Sequence, residues 1–253
     1  MSEFAGRKAL ITGAASGIGL ATAEALARQG ARLVLVDANE IAIAAAVERL
    51  GGAVAAHHAA DITDEAMWDS LAEDLTGLDC AVVNAGVSGS GSIADMELAD
   101  WRRILAVNLD GAFLTLRAAM RAMRGRSGAI VVTASVSGLR AEPGVGAYGA
   151  SKAGLIHLAR IAAKEGAAQG IRINAIAPGG VETPIWQDVP FFQELIAKEG
   201  SEAGAFSALA KMATPLGRYA SAQEIAGQIL FLLSDAAATI TGSVLTSDGG
   251  YSL

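Results

Sequence analysis

Tyr148 and Lys152 stand four residues apart in Tyr148-Gly-Ala-Ser-Lys152, so on a helix the phenol and the ammonium leave one face and can share a cleft. A phenol titrates near 10, and to exchange a proton near neutral pH it must be lowered by about 3 units, or roughly 4 kcal/mol. An ammonium about 4 Å away supplies an effect of that size at an effective dielectric near 20. Taken alone, the pair is also what a packed ring beside a solvated amine looks like. Ser135 lies thirteen residues before the tyrosine and Asn108 twenty-seven before the serine, adding a hydroxyl and an amide.

A second chemistry is written near the start. Thr12-Gly13-Ala-Ala-Ser16-Gly17-Ile18-Gly19 follows an apolar run and opens an alanine-rich helix, the context in which a glycine pattern holds phosphate. Gly13 permits the tight turn, Gly17 lets the backbone approach a pyrophosphate, Gly19 lets helix and strand pack closely, and N–H groups at the helix start face the anion. The glycine spacing departs from the usual dinucleotide fingerprint, so a plain glycine-rich turn also fits. Asp37, eighteen residues past Gly19, ends the next apolar run, where a carboxylate accepts hydrogen bonds from the adenosine ribose. It repels a 2′-phosphate by roughly 4 kcal/mol at about 4 Å. No Arg or Lys lies between Gly13 and Gly19 or directly after Asp37, which favours NAD over NADP. The bland alternative is that Asp37 caps the helix near Asn39.

Positioning these groups requires an alternating α/β chain. Strands are expected at 9–12, 32–36, 53–57, 80–84, 129–133, 171–176 and 243–246. Helices are expected at 17–29, 39–50, 64–75, 98–123, 147–168 and 222–234. Such alternation implies right-handed crossovers, a seven-stranded parallel sheet with helices on both faces, and one doubly wound domain over residues 1–253. Residues 183–214 break the rhythm and hold Trp186, Phe191, Phe192 and Phe206, four of the twelve aromatics. The segment reads either as a helical excursion packed on the core or, from its place after a strand's carboxyl end, as a lid over an apolar ligand.

With 52% hydrophobic and 18% charged residues the chain is globular, and a net charge of −7 disfavours a nucleic-acid partner. The charge-free stretches 9–23 and 80–94 are too short and glycine-rich for a membrane span. Met1-Ser-Glu-Phe lacks a secretory pattern, which points to the cytoplasm. The lone Cys80 reads as buried filler. His57, His58 and His157 lack metal spacing, so no metal is expected. Arg117, Arg121, Arg124 and Arg126 form a solvated face or a dock for an acidic carrier protein.

The ordered set Thr12–Gly19, Asp61, Asn84-Ala85-Gly86, Asn108, Ser135, Tyr148/Lys152 and Pro178-Gly179-Gly180-Val181-Glu182-Thr183 resembles the short-chain dehydrogenase/reductase family over essentially the whole chain. The resemblance implies a Rossmann-type fold with Tyr148 as acid/base. Lys152 would lower its pKa and hold the nicotinamide ribose, and Ser135 would bond the substrate oxygen. Asn108 would interrupt its helix and hold a water linking Lys152 to solvent. Asp61 would meet the adenine amino group with Ile62 against the ring, and Asn84-Ala85-Gly86 would brace the sheet beside the cofactor. Pro178 and Gly179 would approach the cofactor, while the Val181 backbone and the Thr183 hydroxyl would hold the carboxamide. A homotetramer is implied in the same way.

The expected reaction is interconversion of a secondary alcohol and a ketone with NAD. Val136, Leu139 and Val145 would form an apolar wall, and Gly180 would leave room beside the nicotinamide. Trp186, Phe191, Phe192, Leu195 and Phe206 are the lid candidates, with their orientations open. A 3-oxoacyl-carrier-protein reductase is the alternative enzyme, disfavoured by Asp37. A non-catalytic NAD(H) sensor is the remaining class.

Overall fold

The computed structural model describes residues 3–187 and 189–253. Seven strands form one parallel sheet: β1 (Lys8–Thr12), β2 (Arg32–Asp37), β3 (Val54–Ala59), β4 (Cys80–Val83), β5 (Gly128–Thr133), β6 (Ile171–Pro178) and β9 (Val244–Ser247). Their order is β3-β2-β1-β4-β5-β6-β9, so the chain reverses direction between β1 and β4. Loops leaving the carboxyl ends of these two neighbours diverge, which opens a crevice for a ligand. The expected α/β architecture and all seven strands are present, with boundaries shifted by at most two residues.

Alternate strand residues point to opposite faces, and both faces are dry. Ala9, Ile11, Leu33, Leu35, Val82 and Val131 pack under α1 (Gly17–Arg28), α2 (Glu40–Leu50) and α9 (Ala222–Leu233). Leu10, Val34, Val36, Val83, Ile130 and Val132 face α3 (Glu65–Ser70), α5 (Ala112–Ala122) and α6 (Gly146–Ala167). Cys80 lies in the first layer, and burial pushes its thiol up to about 12.

Two expected helices are shorter than their sequence pattern. The one expected over 64–75 ends at Ser70, because Lys8 Nζ takes the carbonyls of Asp74 and Thr76 at 3.0 and 2.8 Å and Gly77 turns left-handed at φ +76°. The one expected over 98–123 is α4 (Leu98–Leu105), a π-helical stretch (Ala106–Gly111) and α5. The extra residue in that wide turn is a local displacement that periodicity does not register.

Residues 183–214 fold as a 3₁₀ turn (Pro184–Trp186), α7 (Pro190–Glu199) and α8 (Glu202–Ala213). Two short strands, β7 (Val181–Glu182) and β8 (Ala220–Ser221), pair in parallel and hold both ends of the excursion together. Their two-residue length leaves no sequence periodicity. Beyond β8, Ser221 and Glu224 form a capping box at the start of α9, and Arg172 on β6 closes its other end by donating to the carbonyls of Leu232, Leu233 and Ser234.

Leu10 is inaccessible at the centre of the sheet. Leu10→Ala should lower the unfolding free energy by about 2–5 kcal/mol in chemical denaturation, through lost burial and a residual cavity.

Candidate active site

The site begins with what holds the glycine loop. The Thr12 hydroxyl is fully buried and accepts the N–H groups of Asn84 and Ala85 at 3.0 and 3.2 Å, while Asn84 Nδ2 donates to the carbonyls of Thr12 and Gly13 at 3.1 and 3.3 Å. Asn84 and Ala85 therefore tie β4 to the loop. At Gly19 a Cβ would lie 1.9 Å from the Gly13 carbonyl oxygen, and at Gly13 (φ +64°) one would lie 2.9 Å from Ala85 Cα. The helix start is thus pressed against its own turn, and no side chain fits either position. Ser16 caps α1 from an extended conformation, is exposed, and makes no side-chain cap bond, so its hydroxyl and the first N–H groups face outward. A Cβ on Gly17 would meet the Thr183 methyl at 3.3 Å across the crevice, and Ile18 beside it is half-buried. Bare backbone, an outward hydroxyl and a helix N-terminus fit the pyrophosphate of a dinucleotide.

Asp37 does not cap α2; Asn39 does, accepting from the Ala42 N–H at 3.0 Å. The two Asp37 oxygens accept instead from Ala15 N–H at 3.0 Å and Asn39 N–H at 2.9 Å, fixing the carboxylate beside the glycine loop. Asp61 is exposed and organises its own turn by accepting from Thr63 N–H at 2.9 Å. Ile62 is buried in the core, where its side chain fills the gap left by Gly111, and its carbonyl accepts from Trp68 Nε1 at 2.9 Å.

The four residues proposed for chemistry come together from three elements. Ser135 follows β5 and its hydroxyl hydrogen-bonds the Tyr148 phenol. Lys152, one turn further along α6, is 4% exposed, donates to the Thr133 carbonyl at 2.9 Å, and places Nζ 5.7 Å from the Tyr148 ring centre. Asn108, in the π turn, accepts from Val87 N–H at 2.8 Å and donates to Val87 C=O at 2.9 Å. A Cβ on Gly86 would sit 3.2 Å from Asn108 Oδ1 and 3.4 Å from Lys152 Nζ, so a glycine there lets amide and ammonium close in.

One expectation is reversed. Tyr148 is pushed above the ordinary phenol value, because burial of the ring outweighs the hydrogen bond from Ser135. Lys152 does not lower it: burial brings the ammonium itself down to about 8, and Nζ is spent on a carbonyl.

Ser151 escaped the sequence reading. It is fully buried, accepts from Asn108 Nδ2 at 3.2 Å and donates to the Tyr148 carbonyl at 2.7 Å, which couples the π turn to the tyrosine. Its place three residues after Tyr148, on the same helix face, was the available signal.

The nicotinamide side follows β6. Pro178 pairs with Ser247, and a Cβ on Gly179 would meet Asp248 at 2.9 Å. Val181 is buried; its carbonyl accepts from Trp186 Nε1 at 3.0 Å and from the Thr183 hydroxyl at 3.4 Å. The space beside Gly180 is not open: a Cβ there would lie 2.3 Å from the Tyr219 ring, a residue the sequence reading did not single out.

The lid aromatics divide. Phe192 and Phe206, with ring centres 4.7 Å apart, are buried with Trp186 and Tyr219 in a small core of their own. Their surface goes to folding the 183–214 excursion, whereas Phe191 is half exposed and Leu195 partly so. Of the wall residues, Val136 is buried, Leu139 is half exposed, and Val145 is partly exposed and bridged to Gly91.

A family model described as enoyl-(acyl carrier protein) reductase matches residues 13–252. A cis-4-hydroxycyclohexanecarboxylate dehydrogenase of Sinomonas cyclohexanicum is 39% identical, with 98% of this chain and 97% of the relative covered. The chain belongs to the short-chain dehydrogenase/reductase family. Galactitol 2-dehydrogenase (L-tagatose-forming) of Cereibacter sphaeroides is 40% identical over 98% of this chain and 96% of its own. Carveol dehydrogenase from Mycobacterium avium, solved in complex with NAD, superposes with a TM-score of 0.92 at 28% identity, covering 99% of both chains. As a member of this family the chain is an oxidoreductase. Among the described residues, no helix is long and apolar enough to cross a membrane, and no three His, Cys, Asp or Glu side chains are grouped to hold a metal.

The burial of Lys152 sets a pH test. The folded protein releases this proton near 8 and the unfolded chain near 10.5, so the unfolded state binds more protons in between and stability rises with pH. From pH 8 to 10.5 the unfolding free energy of wild type should gain about 3 kcal/mol on that of Lys152→Met, measured by urea denaturation at stepped pH.

Proposed function

We propose that the protein is an NAD-dependent dehydrogenase interconverting a secondary alcohol and a ketone. The observation that carries this reading is the convergence of Ser135, Tyr148 and Lys152 beside the glycine loop, with Asn108 and Ser151 bracing them from behind. Ser135 holds the substrate oxygen, and Tyr148 takes the hydroxyl proton in oxidation and returns it in reduction. Lys152 holds the nicotinamide ribose, while Asn108 positions a water leading from Lys152 to solvent. The nicotinamide, when bound, accepts or gives the hydride.

Gly13, Ser16, Gly17, Ile18 and Gly19 hold the pyrophosphate, Asp37 the adenosine ribose and Asp61 the adenine amino group. Asn84, Ala85 and Gly86 brace the cofactor's flank; Pro178, Gly179, the Val181 backbone and Thr183 hold the carboxamide end. Asp37 supports NAD over NADP, since its carboxylate is fixed beside the loop by two N–H groups.

In this reading residues 1–253 act as one cofactor-binding and catalytic domain, with 183–214 as the substrate lid. The substrate is a small, mainly apolar alcohol contacting Val136, Leu139, Val145, Trp186 and Phe191, with the space beside Gly180 taken by Tyr219. Phe192 and Phe206 support the lid from within. The protein works as a cytoplasmic homotetramer. The carrier-protein alternative gains nothing from the arginine face, where Arg117 pairs with Glu65 at 2.7 Å and Arg126 with Asp79 at 3.1 Å.

Tyr148→Phe should reduce kcat at least tenfold while calorimetric titration finds NADH binding nearly unchanged, because only the transferable proton is removed. Retention of most of the turnover would reject Tyr148 as the acid/base.

Wild type should prefer NAD to NADP by about 100-fold or more in kcat/KM, and Asp37→Ala should narrow the gap. Equal use of both cofactors by wild type would remove Asp37 from the ribose site.

A further inference from the structure

Tyr219 occupies the volume that Gly180 leaves. A Cβ at Gly180 would lie 2.3–2.4 Å from its Cε1, Cδ1 and Cζ atoms, so the ring edge leading to the hydroxyl rests on the backbone just before Val181. The ring is fixed on its other sides. Trp186 stacks on it with centres 5.9 Å apart and planes 21° apart, and Phe206 meets it edge-on at 6.4 Å. Trp186 is itself tied to the Val181 carbonyl, and Tyr219 as a whole is 8% exposed.

A ring held this way gives its hydroxyl one direction. That hydroxyl makes no hydrogen bond to a described residue and is not among the fully buried unpartnered atoms, so the oxygen itself opens to solvent at the edge of an otherwise buried ring. Nearby in the chain, Thr214 donates to the carbonyls of Ala210 and Arg218, and the Arg218 guanidinium forks onto Glu224. Across from it is the Tyr251 phenol, pushed up to about 12 by burial and, further, by the hydrogen bond and charge of Glu142 and by Tyr219 itself. Arg140, five residues after Ser135, holds Tyr251 by donating to its carbonyl and lying 4.7 Å over its ring. The hydroxyl is thus carried on a ring packed against the strand end that leads to Val181, within electrostatic reach of a Tyr251 that Arg140 anchors to the Ser135 loop.

We propose that Tyr219 is a specificity-determining residue whose hydroxyl bonds a second, neutral oxygen on the substrate, so that preferred substrates are cyclic secondary alcohols bearing a further hydroxyl or carbonyl. This rests on the dehydrogenase reading above and refines its substrate class. The second group is neutral because the wall's Arg140 is committed to the Tyr251 carbonyl and to Glu142 at 3.3 Å, and Glu142 repels an anion. An alcohol without the second oxygen would bury the Tyr219 hydroxyl unpaired, which is how a polar site rejects a less polar analogue.

The test compares wild type with Tyr219→Phe on cyclohexanol and the cyclohexane-1,2-, 1,3- and 1,4-diols. NADH formation is followed by absorbance, and calorimetric binding of each alcohol to the NADH complex is measured alongside. The ratio of kcat/KM for the best diol to that for cyclohexanol should exceed about tenfold in wild type and fall about tenfold in the variant. A wild-type preference for cyclohexanol, or a ratio that the variant leaves unchanged because both alcohols lose alike, overturns the proposal. If wild type oxidises none of the four, the dehydrogenase reading fails on its own and calorimetry decides the role of Tyr219. Diol binding weakened in the variant supports it; equal or undetectable diol binding overturns it.

Discussion

A lysine ammonium that is 96% withdrawn from water is the costly element of this molecule, and the active side of the sheet is arranged around it. Its Nζ reaches a single described acceptor, the Thr133 carbonyl, and burial brings its pKa down to about 8. Holding it there demands close backbone approach on two sides. Gly86 lets the β4 loop come within contact of Nζ, and at Gly138 a Cβ would lie 2.7 Å from the Lys152 carbonyl carbon, so the Ser135 loop lies flat against α6. The same packing brings Ser135 to the Tyr148 phenol. The geometry for proton transfer and the burial of the ammonium are one structural solution.

The π turn belongs to that solution. An uninterrupted α-helix from Leu98 to Met123 would place Asn108 in a different rotational position; the extra residue aims its amide at both Val87 backbone groups and at Ser151. Gly111 then accepts the Ile62 side chain in the space of its missing Cβ, joining the loop after β3 to the same wall. The interruption of one helix thus frees hydrogen-bonding groups that fix the loop after β4 against α6.

The opposite wall is built differently. Residues 183–214 form a miniature aromatic core, Phe192 and Phe206 with Trp186 and Tyr219, closed at its neck by the β7–β8 pair and joined to the main body at Val181, Gly180 and the C-terminal turn. A unit with its own core can change its outward-facing residues without disturbing the sheet. Relatives of nearly equal length and similar identity bear names as different as a hydroxycyclohexanecarboxylate dehydrogenase and a galactitol dehydrogenase. A sheet that carries a separately packed aromatic cluster gives such divergence a physical basis, since the two cores are distinct.

Much of this was written in the sequence. Strands buried on both faces appear as continuous apolar runs, the glycine loop announces itself by residues that only a close backbone approach needs, and Tyr148 and Lys152 share a face by helical spacing. These features are local, so order and spacing determine them. What the tertiary structure decided depends on contacts between distant segments. The break at Asn108 is set by Val87 and Ser151, the early end of α3 by Lys8, and the inward turn of Phe192 and Phe206 by Tyr219. The phenol's upward shift likewise follows from how completely neighbours from three elements exclude water, a property of the assembled site and not of the pair four residues apart.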